Sequence, residues 1–365
     1  MKKFKNYSVF LRKYKNLKVL ITGSTGFKGA WLSYWLFILG AKVVGVGLRP
    51  EKNSIIFKSL KLNKKIKQYY IDIRDLKKLD RVIKKEKPRI VFHLAAQSIV
   101  SQSFKNPTET VTTNVIGSTN VLESVRLNKV PNLVYVTSDK CYLNLDKANG
   151  YKENDTLGGL DNYSSSKASA EIIFNSYYNS YFKSKYLNVA SVRAGNVIGG
   201  GDLKQDRIIP DIIKSIKLKK NLILRNPSST RPWQHVLEPL SGYLLLGNLL
   251  MSKKLDNKIK PNWNFGPYEK NCKKVKEITK KILKKIKSNI KVIIKKNKNF
   301  HESNLLSLNI NKANKELGWK PTLNFENTMD LTVSWYKAYL KGENLEKMTS
   351  NQIKLYTSKI RIIKQ

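Results

Sequence analysis

The chain has 365 residues, 41% of them hydrophobic and 10% aromatic, enough to build a sizeable core and too much for a disordered polymer. Lys and Arg outnumber Asp and Glu 69 to 26, a formal charge of +43. The basic residues are scattered and accompanied by abundant Asn and Ile, which reads as compositional bias rather than a nucleic-acid-binding arm, although a basic surface would still attract an anionic ligand.

Residues 1–16 are basic and lack a continuous apolar stretch, which argues against a signal peptide. The spacing predicts a strand over 17–22, a helix over 27–39 and a second strand over 42–47. Residues 30–48 are apolar enough to raise a membrane span. Gly40 and the Val-rich run after Lys42 instead read as helix, glycine turn and buried strand. Further strands are expected at 66–71, 89–94, 133–137 and 187–192, with helices at 76–85, 108–127 and 162–178. Such alternation implies right-handed crossovers and an α/β fold, a Rossmann-like doubly wound parallel sheet. After Gly195 the rhythm changes. A glycine run at 199–201 precedes helices at 208–218, 237–251 and 324–340. The organisation predicted is a dinucleotide-binding domain over 1–195 with a return segment at about 231–265, a smaller α/β substrate-binding lobe from 196–230 and 266–345, and a loosely ordered basic tail over 346–365.

Cys141 and Cys272 show no metal spacing and cannot form a disulfide framework, which fits a reducing cytoplasm. His93, His235 and His301 lie far apart, so no metal site is expected.

Gly23, Gly26 and Gly29 give a G-x-x-G-x-x-G spacing between the first strand and first helix. Such glycines allow a tight turn, close approach of a pyrophosphate and close helix packing, with the helix N-terminus offering free N–H groups. Thr25, Phe27 and Lys28 complete this loop. NAD-binding loops usually place an acidic residue after the second strand. Here Gly47 and Leu48 are followed by Arg49, which leaves NADP open beside NAD. Asp72 and Ile73 after the third strand, and Leu94, Ala95 and Ala96 after the fourth, are the other expected cofactor contacts.

Tyr163 and Lys167 form a Y-x-x-x-K on one helix face. The Lys ammonium is expected to lower the phenol's pKa, so that the tyrosinate can take a hydroxyl proton while hydride leaves the same carbon. At the end of the fifth strand stand Ser138, Asp139 and Lys140. Ser138 can donate to the reacting oxygen. Asp139 and Lys140 add an acid and a base that a simple dehydrogenase does not need, which points to a second proton-transfer event such as loss of water.

Over nearly its whole length the chain resembles the extended short-chain dehydrogenase/reductase family, and more narrowly the nucleotide-sugar 4,6-dehydratases that act on CDP-glucose. The stretches carrying this are Thr22 to Gly29 with Trp31-Leu32, Thr137 to Tyr142, Arg193 to Asp202 and Arg231 to Leu240. Lys140 stands where related dTDP-glucose dehydratases have Glu. The resemblance implies an NAD-dependent lyase acting on CDP-glucose or another NDP-hexose. It implies C4 oxidation by way of Tyr163, elimination of water across C5–C6 assisted by Asp139 and Lys140, and hydride return to C6. It also implies substrate contacts from Gln97, Asn196, Arg207, Arg231 and His235, the last at the core edge of the site. A cytoplasmic homodimer supplying deoxysugar for lipopolysaccharide O-antigen is expected, built on the long helices at 108–127 and 162–178. The rivals on the same fold are another NDP-sugar dehydratase, such as one acting on dTDP-glucose, and a 4-epimerase, which would have no use for the Asp139-Lys140 pair. A basic nucleic-acid-binding protein would carry charge but no recognisable motif.

Overall fold

The computed structural model describes residues 4–6, 11–51, 54–183, 187–252, 260–268, 272–295 and 306–363; His301 lies outside them. Seven parallel strands form the central sheet: β1 (Lys18–Thr22), β2 (Lys42–Gly47), β3 (Lys67–Tyr70), β4 (Ile90–His93), β5 (Asn132–Val136), β6 (Asn188–Arg193) and β7 (Asn262–Asn264). Their order is β7-β6-β5-β4-β1-β2-β3, reversing direction on either side of β1. That reversal is the topological switch point where doubly wound sheets open a crevice for ligands.

β4 and β5 are buried at every position, and β1 and β6 at all but the first. This is the signature of a parallel sheet covered on both faces. One face packs on α1 (Phe27–Ile38) and a later helix, Leu237–Ser252; the other packs on α2 (Leu76–Glu86), α3 (Ser118–Leu127) and α4 (Asn162–Tyr177). The α2 and α4 N-termini are capped by Asp75 and Asp161, whose carboxylates accept from the N–H groups of Lys78 (3.0 Å) and Ser164 (2.9 Å). The 30–48 stretch is α1, a turn at Gly40 (φ +81°) and β2, and no described helix is long and apolar enough to cross a membrane.

The helix expected over 108–127 is interrupted. Helix Pro107–Val111 runs into a widened π turn, Thr112–Gly117, before α3 begins. Gly117 packs so tightly on Ile73 that an added Cβ would lie 2.7 Å from its Cδ1. The wide turn delivers Asn114 to the inner face, a use often made of π turns near functional sites. β7 is a strand the sequence pattern did not reveal; at three residues it is too short to carry an alternation signal.

Beyond β6 the chain forms α5 (Ile208–Leu218), then α6 (Leu237–Ser252), the helix that returns to cover the sheet, then α7 (Val275–Ile286) and α8 (Phe325–Leu340), with short strand pairs between them. The reading of a loose tail after Gly342 is corrected. Leu345–Lys359 forms a further helix, α9, capped by Asn344, whose side chain accepts from Lys347 N at 3.0 Å. Ile353 and Tyr356 on α9 are 2% and 0% exposed, and Tyr356 stacks edge-on against Trp35 of α1 at 5.9 Å. Burial of these side chains, each contributing about 1.5–3 kcal/mol, overrides the basic composition of the segment.

Candidate active site

The glycine loop is shaped for a ligand that approaches backbone. Gly23 has φ +73°, and a Cβ there would lie 2.7 Å from the Ala95 nitrogen, so the loop lies directly against the segment leaving β4. A Cβ on Gly29 would fall 2.0 Å from the Gly23 carbonyl oxygen, so only glycine lets α1 sit this close to the loop. Gly26 caps α1 without any side-chain hydrogen bond, which leaves the first-turn N–H groups for an outside acceptor.

Where an acidic residue is expected after β2, Gly47 and Leu48 stand instead, and the glycines of this strand pack close on neighbouring side chains. A Cβ on Gly47 would lie 2.9 Å from Thr25 Oγ1, and one on Gly45 would lie 2.2 Å from Gln68 Oε1. Arg49 is exposed with its guanidinium 5.1 Å over the Tyr70 ring. Asp72 is held by Arg74, which donates through Nη2 (2.6 Å) and Nε (2.9 Å); burial opposes the charge, but these bonds hold the carboxyl below its ordinary range. Ile73 is core, beneath Gly117, and Leu94, Ala95 and Ala96 line the half-buried turn after β4.

At the carboxyl end of β5, Ser138 Oγ donates to Asp139 Oδ1 at 2.8 Å and accepts from Lys140 N at 3.3 Å. Asp139 is 3% exposed and lies flat on Gly195, where a Cβ would meet Oδ2 at 1.8 Å. Tyr163 and Lys167 project from α4 into the same space, with Lys167 Nζ 5.8 Å from the Tyr163 ring centroid. The expected low phenol pKa is corrected. Burial, reinforced by Asp139, pushes Tyr163 up to about 12, and the opposing pull of Ser138 and Arg207 does not offset it. Burial, together with the neighbouring Lys28 ammonium, pushes Lys167 down to about 8. Lys28, in the first turn of α1, is likewise pushed down to about 8, by burial and by Arg207, with Asp139 opposing. Lys140 is half-buried beside them.

The remaining sequence candidates divide. Arg207 reaches the cleft, where its Nη1 pairs with Asp202 (2.7 Å) and its Nη2 donates to Ser98 Oγ (2.9 Å). Asn196 adopts φ +43°, and its carbonyl accepts from Gln234 N at 3.3 Å. Arg231 is 9% exposed and donates to the Thr230 carbonyl at 2.9 Å. Gln97 spends its side-chain amide on the loop itself, donating to the Ile99 carbonyl (3.0 Å) and Thr110 Oγ1 (2.9 Å). His235 is fully buried edge-on to Trp31, and burial pushes its imidazole down to about 3, a neutral core residue.

Sequence reasoning missed two features. Asn114 donates to the Gln97 carbonyl (3.0 Å) and to Ser166 Oγ (3.0 Å), tying the β4 turn to α4. Beneath the cleft, Glu171 pairs with Arg193 at 2.7 Å, 0% and 1% exposed, and also accepts from Thr137 and Ser191. Glu171 lies four residues beyond Lys167, so a stripe at 163, 167 and 171 was the available signal. Arg193 continues to Tyr142 (2.6 Å) and to the carbonyl of Glu153. Glu153 in turn accepts from Asn264 N, at the start of the segment leaving the sheet, so the segment 146–160, uninformative as sequence, braces this end. No group of three or more His, Cys, Asp or Glu among the described residues could hold a metal ion.

A doubly wound sheet with a glycine cradle at its switch point and a Ser-Tyr-Lys constellation at the adjoining strand end defines an extended short-chain dehydrogenase/reductase. More narrowly, the chain belongs to the GDP-mannose 4,6-dehydratase family, whose model matches residues 20–332. It is 41% identical to the CDP-glucose 4,6-dehydratase of Salmonella typhimurium, over 94% of this chain and 97% of that one. It is 25% identical to the dTDP-glucose 4,6-dehydratase of Haemophilus influenzae, over 88% and 98%. Among solved structures it is similar to an epimerase from Methanothermobacter thermautotrophicus (25% identity, 92% and 96% covered, TM-score 0.78). It is also similar to the dTDP-glucose 4,6-dehydratase of Bacillus anthracis in complex with NAD (24%, 90% and 99%, TM-score 0.73).

Proposed function

We propose that the chain is a hydro-lyase that converts CDP-glucose to its 4-dehydro-6-deoxy product with NAD as resident cofactor. The observation that carries this reading is the buried carboxylate of Asp139, bonded to Ser138 beside Tyr163 and followed by Lys140. This is an acid–base pair beyond what alcohol oxidation needs. Likeness to the Salmonella enzyme over almost all of both chains supports the substrate.

The residues present fit a dinucleotide. Gly23, Gly26 and Gly29 leave the room a Cβ would fill, and the uncapped N-terminus of α1 offers N–H groups to its diphosphate. Tyr163 and Lys167 would hold the nicotinamide end. When bound, NAD+ supplies a hydride acceptor and a positive charge. Arg49, stacked on Tyr70, carries the charge a 2′-phosphate would meet, so NADP+ is the second cofactor to test.

Tyr163 takes the proton of the sugar's C4 hydroxyl, with Ser138 donating a hydrogen bond to that oxygen. The Lys167 ammonium favours the tyrosinate form that takes this proton, and Tyr163 ends the step as a neutral phenol as the hydride leaves C4. The 4-ketone acidifies the C5 hydrogen. Asp139 and Lys140 then remove that proton and protonate the departing C6 hydroxyl. Arg231 and Asn196 receive the substrate diphosphate, for which a guanidinium is the best-suited side chain.

Val111, Ile116 and Ile172 are 42%, 51% and 56% exposed along the Pro107–Leu127 and α4 helices, which supports a homodimer joined through these faces; a cytoplasmic location is part of the same proposal. Supply of a deoxysugar for O-antigen is the pathway role this product fits. The test is incubation with NAD+ and, separately, CDP-, UDP- and dTDP-glucose, following the alkali-induced absorbance of a 4-keto-6-deoxy product and its mass. Loss of water from CDP-glucose alone is expected. Turnover of a different sugar nucleotide overturns the substrate, and no loss of water from any of them overturns the reaction.

A further inference from the structure

Between the glycine run 199–201 and α5 the chain forms a short arch. Its first foot is fixed by packing. A Cβ on Gly200 would lie 2.0 Å from Trp335 Cδ2, and one on Gly201 would lie 2.6 Å from Ile56 Cβ. The buried Tyr336 Oη donates to the Asp202 carbonyl at 2.6 Å. The second foot is Arg207, at the start of α5, which pairs with Asp202 at 2.7 Å and closes the arch on itself. Between the feet, Lys204, Gln205 and Asp206 are exposed. Asp206 takes φ +63°, a left-handed conformation that Asp tolerates better than most residues. Its carboxylate is held from two sides. Oδ1 pairs with Arg225 at 3.3 Å, just beyond the strand Leu222–Leu224, and Oδ2 accepts from Ser101 Oγ at 2.6 Å. Ser101 lies on the helix Val100–Lys105, in the segment leaving β4. The same segment supplies Ser98, whose carbonyl and Oγ accept from Arg207 Nη2 at 3.2 Å and 2.9 Å.

These links are of two kinds. The ion pairs, Arg207 with Asp202 and Arg225 with Asp206, lie wholly beyond β6. The bonds that reach across to the segment leaving β4 have serine as their partner there, and among the described residues no ion pair crosses with them. Parting the two sides therefore breaks serine hydrogen bonds while each charge keeps its counter-ion. The half-buried serines can exchange these bonds for water, whereas the buried foot stays fixed. The segment leaving β4 borders the glycine cradle, since a Cβ on Gly23 would meet the Ala95 nitrogen at 2.7 Å, and on the other side the chain runs from Asn196 directly into the arch. We propose that the arch at 203–206 is a clasp over the sugar-nucleotide cleft. It opens by release of Ser98 and Ser101, closes again over a bound nucleoside diphosphate, and sets the rate of exchange rather than the affinity. The inference rests on the nucleotide-sugar reading of the site given above. A ligand that passes only while the clasp is open arrives and leaves at rates scaled by the same open fraction. Loosening the clasp therefore speeds both and leaves their ratio alone.

The test is a binding measurement that needs no turnover. Association and dissociation rate constants for CDP are measured by stopped flow on the NAD+-loaded wild-type chain, Ser101→Ala, Ser98→Ala and Ser101→Thr. Ser101→Ala is expected to raise kon and koff each about ten-fold, with Kd held within about three-fold. Ser98→Ala, which leaves its carbonyl to Arg207, should raise both about two- to three-fold, and Ser101→Thr, which keeps the hydroxyl, should stay within about two-fold of wild type. If Ser101→Ala does not fold, the paired rates of Ser98→Ala decide alone. A rise in koff without kon is what a lost ligand contact or looser packing gives, and it overturns the inference. Rates unmoved in both alanine variants do the same, as does a Ser101→Thr chain as fast as Ser101→Ala. Failure of the wild-type chain to bind CDP, UDP or dTDP overturns this inference together with the reading beneath it; binding with unmoved rates overturns this one alone.

Discussion

Two clusters of buried charge share the carboxyl edge of β5 and β6, and they are built oppositely. In the lower one, Glu171 and Arg193 meet at 2.7 Å and are surrounded by Thr137, Ser191, Tyr142 and the Glu153 carbonyl. Coulombic attraction to Arg193 outweighs burial and keeps Glu171 below the ordinary carboxylate range. In the upper one, Asp139 is bonded to Ser138 and Lys167 lies over the Tyr163 ring, neither in an ion pair among the described residues, and burial, reinforced by the Lys28 charge, pushes Lys167 down to about 8. Committed charges brace the sheet edge, and uncommitted charges above them remain available to a ligand.

The largest expected effect lies in the upper cluster. Tyr163→Phe should lower kcat by about 10³–10⁴-fold, with little change in the urea unfolding midpoint. A loss under ten-fold would mean that another group takes the C4 proton. Next, Glu171→Gln should destabilise the fold by about 3–5 kcal/mol in urea unfolding, because it leaves Arg193 buried without its counter-charge. If activity fell instead while stability held, the distinction between bracing and reacting clusters would fail.

A third carboxylate sharpens the contrast. Glu238 on α6 has donors but no cation. It accepts from Thr322 N (3.0 Å), Leu323 N and Tyr356 Oη (2.8 Å), and burial pushes it up to about 7. Because its folded pKa is raised above the unfolded value near 4.5, its contribution to stability is fully present below pH 4.5. It is lost as pH rises through 7. Wild type should therefore lose about 2–3 kcal/mol between pH 4.5 and pH 8 relative to Glu238→Gln, measured by urea unfolding at both pH values. The smallest effect expected is that of Gly195→Ala. The added methyl must displace the Asp139 carboxylate, so kcat should drop about ten-fold while NAD+ affinity is kept. Unchanged kcat would argue against a fixed position for Asp139.

Much of this was legible in the sequence because the relevant groups are close in sequence. Gly23, Gly26 and Gly29 lie on one loop, Ser138 to Lys140 are consecutive, and Tyr163 and Lys167 are one helical turn apart. The lower cluster was not, because Glu171, Arg193, Tyr142 and Asn264 come from four different elements, and no local period links them. The phenol's raised pKa was missed for a related reason: spacing reports that an ammonium is near but not how much water burial removes. α9 was hidden by its lysines, which mask the apolar positions at Ile353 and Tyr356.

The seating of Tyr356 against Trp35 has a consequence for how the polypeptide matures on the ribosome. The helix that begins near residue 26, beside the glycine cradle, receives part of its cover from a side chain more than 300 positions later, the same side chain that donates to Glu238. The amino-terminal half cannot finish its core vectorially as it emerges from the exit tunnel. Nascent chains stalled before residue 356 should expose Trp35 and depend on holdase chaperones, and release of the C-terminal helix completes a nucleotide cradle begun at the other end of the message.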